Sequence, residues 1–294
     1  MAIDKQELLR RLSFIKYLFL IGIEQANKPE PLSNTAILSF HDSIELFLKL
    51  ACEHHAISKT NDTFMDYLTA LGKILPLTQT GAMDRFNKAR VAIKHHGTMI
   101  SKIDIDAFKS VCLNFYIENT ATIFNVNFDS ISLINLITYK TTKQHLENSE
   151  KEINFLNYEK AIEEITVAFW SSIEEYEANK TKFYGHSPFF FGRDMTFLSS
   201  FVMDVEDKKL NEFIDKVKES ITSMQTAIKI LSLGFDYRKF TKFKLITPIY
   251  VRTFGGHTLQ QMRSPQYKPE DVRWCFDYVI ECCLILQEFD YEIH

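Results

Sequence analysis

Apolar residues recur every three or four positions along most of the chain, the spacing of one face of an α-helix. Leu8, Leu9, Leu12, Ile15, Leu18, Phe19 and Ile23 mark a helix over residues 5–26. The Pro-containing stretch from Asn27 to Ser33 turns the chain. Ile37, Leu38, Ile44, Phe47, Leu48 and Ala51 then form a broad stripe on a helix over residues 34–55. Residues 62–76 predict another helix, ended by Pro76. Gly81 to His96 predicts a further one, with Gly97 in the place of a C-terminal cap. Asp104, a good N-cap, starts a helix that runs to about Ala121. Together these segments predict a compact helical bundle.

The pattern then changes. Residues 125–145 carry few helix cues, and Ile131, Leu133, Leu136 and Thr138 suit a short strand. Glu147 to Glu152 is polar and charged, so the domain boundary is expected near residue 145, giving domains 1–145 and 146–294. The second half opens with a helix over residues 157–179. An aromatic stretch, FYGHSPFFFG at 183–192, reads as a loop because Gly185, Pro188 and Gly192 break it. A long amphipathic helix covers residues 206–233. Residues 240–254 are the best strand candidate, with Pro248 demoting part of it to an edge or irregular segment. A last helix runs from Pro269 to Phe289. The expected fold is mainly α, with short strands confined to the C-terminal half.

Composition supports this reading. Gly and Pro number only 9 and 7, where average usage would give roughly 20 and 15. Neither G-x-G-x-x-G nor G-x-x-x-x-G-K-[ST] occurs, which removes the common nucleotide-binding α/β designs. Net charge is −4, so contact with nucleic acid by bulk charge is excluded and must come from a local patch. The cysteines Cys52, Cys112, Cys275, Cys282 and Cys283 are odd in number and form no C-x-x-C pair. They read as reduced core residues of a cytosolic protein. The apolar run from Tyr17 to Ile23 is too short to span a bilayer, and no cleavage site follows it. A cytoplasmic protein without membrane contact is expected.

The patch is found at residues 81–97, GAMDRFNKARVAIKHHG. From Arg85 to Lys102 the chain places Arg85, Lys88, Arg90, Lys94 and Lys102, and no acidic residue. His95 and His96 stand beside them, and Arg90 and His95 are separated by four residues. Metal-free RNA cleavage needs a base for the 2′-hydroxyl proton and an acid for the leaving 5′-oxygen. It also needs cationic donors for the charge that develops on phosphate. Histidine titrates near neutrality and can serve either proton role. Arginine offers permanently charged, planar donors that fit phosphate oxygens. On a straight helix Arg90 and Lys94 share a face, whereas His95 lies about 140° from Arg90. One helix therefore supplies half a site.

This window resembles the HEPN superfamily, whose active members carry an R-x(4–6)-H motif at the end of a helix. Arg90, Lys94, His95 and Gly97 match the local form R-x-x-x-K-H-x-G, and the helix AILSFHDSIELFLKLACEH at 36–54 resembles the family's earlier helix, including Glu45 and Lys49. The resemblance covers residues 10–125. It implies a metal-independent endoribonuclease of prokaryotic toxin, abortive-infection or antiviral defence systems. It also implies a two-fold homodimer that brings two half-sites together. His95 would be the acid/base and Arg90 the phosphate-binding electrophile, with Lys94, His96 and Asn87 assisting and Lys88, Arg85 and Lys102 binding RNA. No metal or cofactor is called for. The family commonly has a polar residue directly after the arginine, where this chain has Val91. That departure keeps a second reading open: a catalytically inactive HEPN scaffold that binds RNA, a nucleotide or a regulatory protein partner.

A second R-x4-H string, Arg252 and His257, lies in the C-terminal half. The segment 271–284 loosely echoes 106–119, which suggests a degenerate second HEPN unit. The bland alternative is a loop arginine and histidine near a strand. His41 and Glu45 are one helical turn apart and read as a structural pair. His54 and His55 end a helix and lack a second ligand cluster at a zinc spacing. Phe189 to Phe191 read as core packing, with base stacking or docking of a partner as the alternative. Arg238, Lys239, Lys242 and Lys244 are either an extension of an RNA track or a solvated face.

Overall fold

The computed structural model describes residues 3–58, 61–178, 180, 187–192, 208–253, 256–260 and 266–291. The chain divides into two compact units, Met1–Leu136 and Ile137–His294. It is mainly helical, as the apolar spacing predicts. Among the described residues no helix is long and apolar enough to cross a membrane.

The first unit contains α1 (Lys5–Ala26), α2 (Thr35–His54), α3 (Phe64–Gly72), α4 (Thr80–His96) and α5 (Lys102–Phe124). Its core is aromatic. Phe47 meets Phe115, Tyr116 and Phe124 edge-on, and Phe19 meets Tyr116 and Phe128 in the same way. Helix α2 is the central element, burying Phe40, Ile44, Phe47, Leu48 and Ala51. Gly22 lets α1 and α2 approach, since a Cβ there would sit 2.5 Å from two ring carbons of Phe40.

Two details differ from the sequence-based expectation. Helix α5 is capped by Ser101, whose Oγ accepts from the Asp104 N–H at 3.2 Å. Asp104 instead sits in the first turn and accepts the Ser101 hydroxyl at 2.6 Å. The strand expected around 131–138 is absent. Phe128–Ser130 and Leu133–Leu136 are single 3-10 turns. Their carbonyls find partners on α1: Lys16 Nζ donates to Phe128, Asp129 and Ile131, and Ser13 Oγ donates to Ser132. No neighbouring strand is needed to satisfy this backbone.

The second unit contains α6 (Lys140–Asn154), α7 (Tyr158–Ala178), α8 (Lys208–Ser232), α9 (Tyr237–Ile246) and α10 (Pro269–Glu288). Strands β1 (Ile249–Thr253) and β2 (Gly256–Gln260) form an antiparallel hairpin. The unit starts earlier than residue 145 because the polar stretch expected as a linker belongs to α6. That helix packs on α7, and Glu175 accepts from the Thr141 and Thr142 N–H groups at 3.0 and 2.8 Å. The strand expected over 240–254 is half helix. Asp236 caps α9 by accepting from the Arg238 and Lys239 N–H groups at 2.8 and 3.2 Å. Phe240 and Phe243 then enter the core from one helical face. Pro248 keeps Thr247 extended, so the strand begins only beyond it.

Candidate functional site

Helix α4 presents two different environments along its length. Met83 and Phe86 are buried in the core of the first unit. Past Phe86 the helix turns outward, and Lys94, His95 and His96 are exposed in the last turn. Gly97 ends the helix in the left-handed conformation at φ 63°. Its N–H and that of Thr98 donate to the carbonyls of Ile93 and Ala92, both at 3.1 Å. A residue with a Cβ is disfavoured there, so the glycine fixes where the histidines are displayed.

Arg90 sits at the transition, half-buried beside α2. Its Nε has no hydrogen-bond partner among the described residues. Its neighbour is His41 of α2, which is 2% exposed and stacks on Phe64 at 4.5 Å. His41 Nε2 lies 3.0 Å from Asn87 Oδ1. That contact requires the proton on Nε2 and leaves Nδ1 as an acceptor. Among the described residues Nδ1 has no hydrogen-bond partner; Glu45 and Asp42 carboxylate oxygens stand 3.7 and 3.9 Å away. Asn87 and Arg90 are one turn apart on α4. The seam between α2 and α4 therefore holds an unpaired acceptor and an unpaired donor.

The charge on His41 is set by this packing. Burial holds its pKa below the ordinary 6.5; the Asn87 hydrogen bond opposes this, the Arg90 guanidinium adds to it, and Glu45 and Asp42 oppose it weakly. His41 is thus neutral in the folded protein near pH 7. Below pH 6.5 the unfolded chain takes up a proton that the folded chain resists. Stability is then present above that pH and is lost as pH falls below it. Burial and His55 depress His54 in the same direction. In urea titrations the wild type is expected to lose stability between pH 7 and pH 5, and His41→Gln to lose less over that range. Equal slopes for the two proteins would contradict this account of His41.

The other sequence candidates divide sharply. Arg85 and Lys94 are exposed and carry no salt bridge among the described residues. Lys88 is neutralised by Asp84 at 2.7 Å, one turn back on the same helix. Lys102 is drawn away from the patch: Nζ donates to the Ala26 carbonyl and to Asp106 at 3.1 Å. Asn87, expected to assist at phosphate, is instead engaged with His41 and positions α4 against α2. Val91 is 36% exposed and presents only methyl groups beside Arg90.

The second motif is not at a helix end. Arg252 and His257 face each other across the β1–β2 hairpin. His257 stacks on Tyr250 at 5.4 Å, and Arg252 lies 3.5 Å from Glu174. Tyr250, Arg252 and Glu174 border a cavity of about 720 Å³ in the second unit, walled by Trp170 and Phe243. A hairpin cannot repeat the helical display of α4, so the reading as a second HEPN unit fails at its motif.

The basic run of the second unit is largely spent locally. Lys239 pairs with Glu281 at 2.6 Å, Arg238 pairs with Asp236 at 3.0 Å, and Lys242 covers the Trp274 ring at 4.0 Å. All five cysteines are free and buried. Phe189 packs at 5.8 Å on Tyr176, whereas Phe190 and Phe191 are exposed. Residues 183–186 of that aromatic stretch lie outside the described residues.

His41, Asp42 and Glu45 are the one group of three His, Cys or carboxylate residues, among the described residues, whose ligand atoms lie within 4.8 Å of one another. Glu45 is engaged with Lys49 at 2.7 Å, and the Arg90 guanidinium acts on His41. The sequence reading missed the link from His41 to α4. The available signal was a polar residue on the apolar face of a core helix, which demands a partner.

No protein-family model, curated protein or solved structure matches the chain.

Proposed function

We propose that the first unit is a HEPN-type endoribonuclease that cleaves RNA without a metal ion. The observation that carries this reading is the unneutralised cationic face of α4 made by Arg90 and Lys94. Arg90 and Lys94 lack acidic partners among the described residues, as does Arg85 on another side of the helix, while Lys88 and Lys102 have them. Next to that face, the Gly97 cap displays His95 and His96 to solvent. In the reaction the 2′-oxygen attacks phosphorus and loses its proton to a histidine. Arg90 and Lys94 meet the negative charge on the equatorial oxygens. A protonated histidine then gives its proton to the departing 5′-oxygen, leaving a 2′,3′-cyclic phosphate and a 5′-hydroxyl. His95 takes these proton roles, and two copies of the chain supply both, with His96 as helper. His41 and Asn87 do not touch substrate; they hold α4 against α2, which fixes where Arg90 stands. The host setting is a cytoplasmic prokaryotic defence effector or toxin. End-group analysis tests the chemistry. With EDTA present, fragments are expected to carry 2′,3′-cyclic phosphate and 5′-hydroxyl ends; fragments with 3′-hydroxyl ends would contradict the assignment.

A second reading is favoured by Val91 alone. Its exposed methyl groups beside Arg90 give a cationic face without a polar helper, suited to an inactive scaffold that binds RNA, a nucleotide or a partner protein. Retention of RNA binding with no cleavage, in wild type and in Arg90→Ala/His95→Ala alike, would favour it.

A further inference from the structure

Helix α8 carries an apolar repeat that the core of its own unit does not use. Leu210, Ile214, Val217, Ile221, Met224, Ile228 and Leu231 follow one another at alternating steps of four and three residues. This is an unbroken 3.5-residue repeat over the helix, the spacing of a coiled-coil seam rather than of a helix lying on a globular core. Written as heptads, Ile occupies each a position (214, 221, 228), and Leu, Val, Met and Leu occupy the d positions (210, 217, 224, 231).

The burial separates two faces. Ile230 and Leu233 are buried, and Thr222, Thr226 and Lys229 line the cavity walled by Trp170. Lys229 reaches Glu177 of α7 at 2.7 Å. These are the b, c and f positions, on the side of the helix away from the seam. Most of the seam is open: Leu210 is 43% exposed, Val217 39%, Met224 57%, Ile228 45% and Leu231 58%, with Ile214 and Ile221 half-buried between them. A face so regular and so apolar, on a helix already anchored by its opposite side, calls for a second helix.

We infer that α8 pairs with α8 of a second copy of this chain as a parallel two-stranded coiled coil. The a and d choices point to that occupant, because β-branched residues at a with leucine at d favour two parallel strands, and Leu210, Leu231 and the unbranched Met224 fill three of the four d positions, Val217 being the exception. A two-fold axis would set each a layer and each d layer against itself, so the pattern is complementary to its own copy. The flanking e and g positions do not oppose it. Asn211, Phe213, Lys218, Ser220, Gln225 and Ala227 include a single charge, so no wall of like charges forms.

The area is also sufficient. Full burial of one aliphatic side chain removes about 60–120 Å² from water, at about 25 cal/mol/Å² for 1.5–3 kcal/mol. Seam side chains that are near half exposed, from two copies, give on the order of 600 Å². The flanking positions bring the total to about 1,200 Å², the lower size of a specific interface. Helix α8 spans 25 residues, which is about 38 Å at 1.5 Å per residue and holds three heptads, near the minimum for a stable zipper. This pairing does not rest on the ribonuclease reading; where that reading holds, the α8 pair is the contact that joins the two copies.

The test uses the full chain. Light scattering after gel filtration at tens of micromolar is expected to give twice the 34.3 kDa chain mass. Ile221→Glu/Ile228→Lys, which places charges in the seam, is expected to give the mass of one chain with unchanged helicity in circular dichroism. Met224→Cys is expected to form an interchain disulfide on mild oxidation, since equal d positions face each other in a parallel pair. The native cysteines are buried and leave that readout clean. A monomeric wild type, or a variant that remains dimeric, would overturn the proposal. A dimer in which Met224→Cys forms no interchain disulfide would overturn the parallel arrangement.

Discussion

Arg90→Ala and His95→Ala will each lower RNA cleavage by about 10²- to 10⁴-fold, measured as initial rates in EDTA. The range follows from the two roles. A positioned acid or base contributes about 10²–10⁴, and one preorganised donor at a developing oxyanion about 10²–10³. The effect should stay confined to activity. Arg90 Nε makes no hydrogen bond that truncation would break, and His95 is exposed. Both variants are therefore expected to melt within a degree or two of wild type. Lys102→Ala provides the contrast. Its ammonium holds the C-terminal end of α1 through the Ala26 carbonyl, so this variant should lose stability and keep its rate. If Lys102→Ala and Arg90→Ala were equally slow, the division of the basic window proposed above would be wrong.

Phe169→Ala will have the largest effect on stability. The ring lies in the middle of the second unit's core, with centroid distances of 4.8 Å to Phe243, 5.8 Å to Phe240, 5.9 Å to Phe235 and 6.1 Å to Tyr278. These partners come from α9, α10 and the turn before α9, so one truncation loosens three elements at once. Removal of a fully buried phenylalanine costs about 3–5 kcal/mol. For a unit of this size that lowers the midpoint by roughly 6–20 °C. Calorimetry should show the shift in the transition of the second unit, with cleavage at low temperature unchanged. A shift of only a degree or two would mean that this core repacks readily around the lost ring.

Much of the fold was legible because the apolar period is strong where helices bury one face. Residues 5–26 and 34–55 predict α1 and α2 nearly to the residue, and Gly97 marks the end of α4. The misreadings share a cause: what decides each segment lies in packing or partners that the local pattern does not show. Residues 131–138 looked strand-like, yet Lys16 and Ser13 take up their carbonyls. Glu147 to Glu152 looked like a linker, yet this polar stretch belongs to a helix whose opposite side packs on α7. Residues 240–246 looked β-branched and aromatic enough for a strand, yet Phe240 and Phe243 fit one helical face.

The candidate site was legible in outline and misread in its supporting parts. A window of basic residues shows which charges exist but not which are neutralised. Asp84 and Asp106 remove Lys88 and Lys102 from the set, and those pairings follow only from the helices that carry them. Asn87 looked available for phosphate because nothing in the sequence ties it to His41, 46 positions away. Arg252 and His257 matched the motif spacing, but a spacing has meaning only on the element that bears it, and theirs is a hairpin.

The most direct measurement is RNA cleavage in EDTA by wild type and by Arg90→Ala/His95→Ala, each mixed with total RNA and with tRNA and resolved on a gel. Cleavage by the wild type alone is the predicted result. Equal cleavage by both proteins would contradict the assignment of α4 as the active helix.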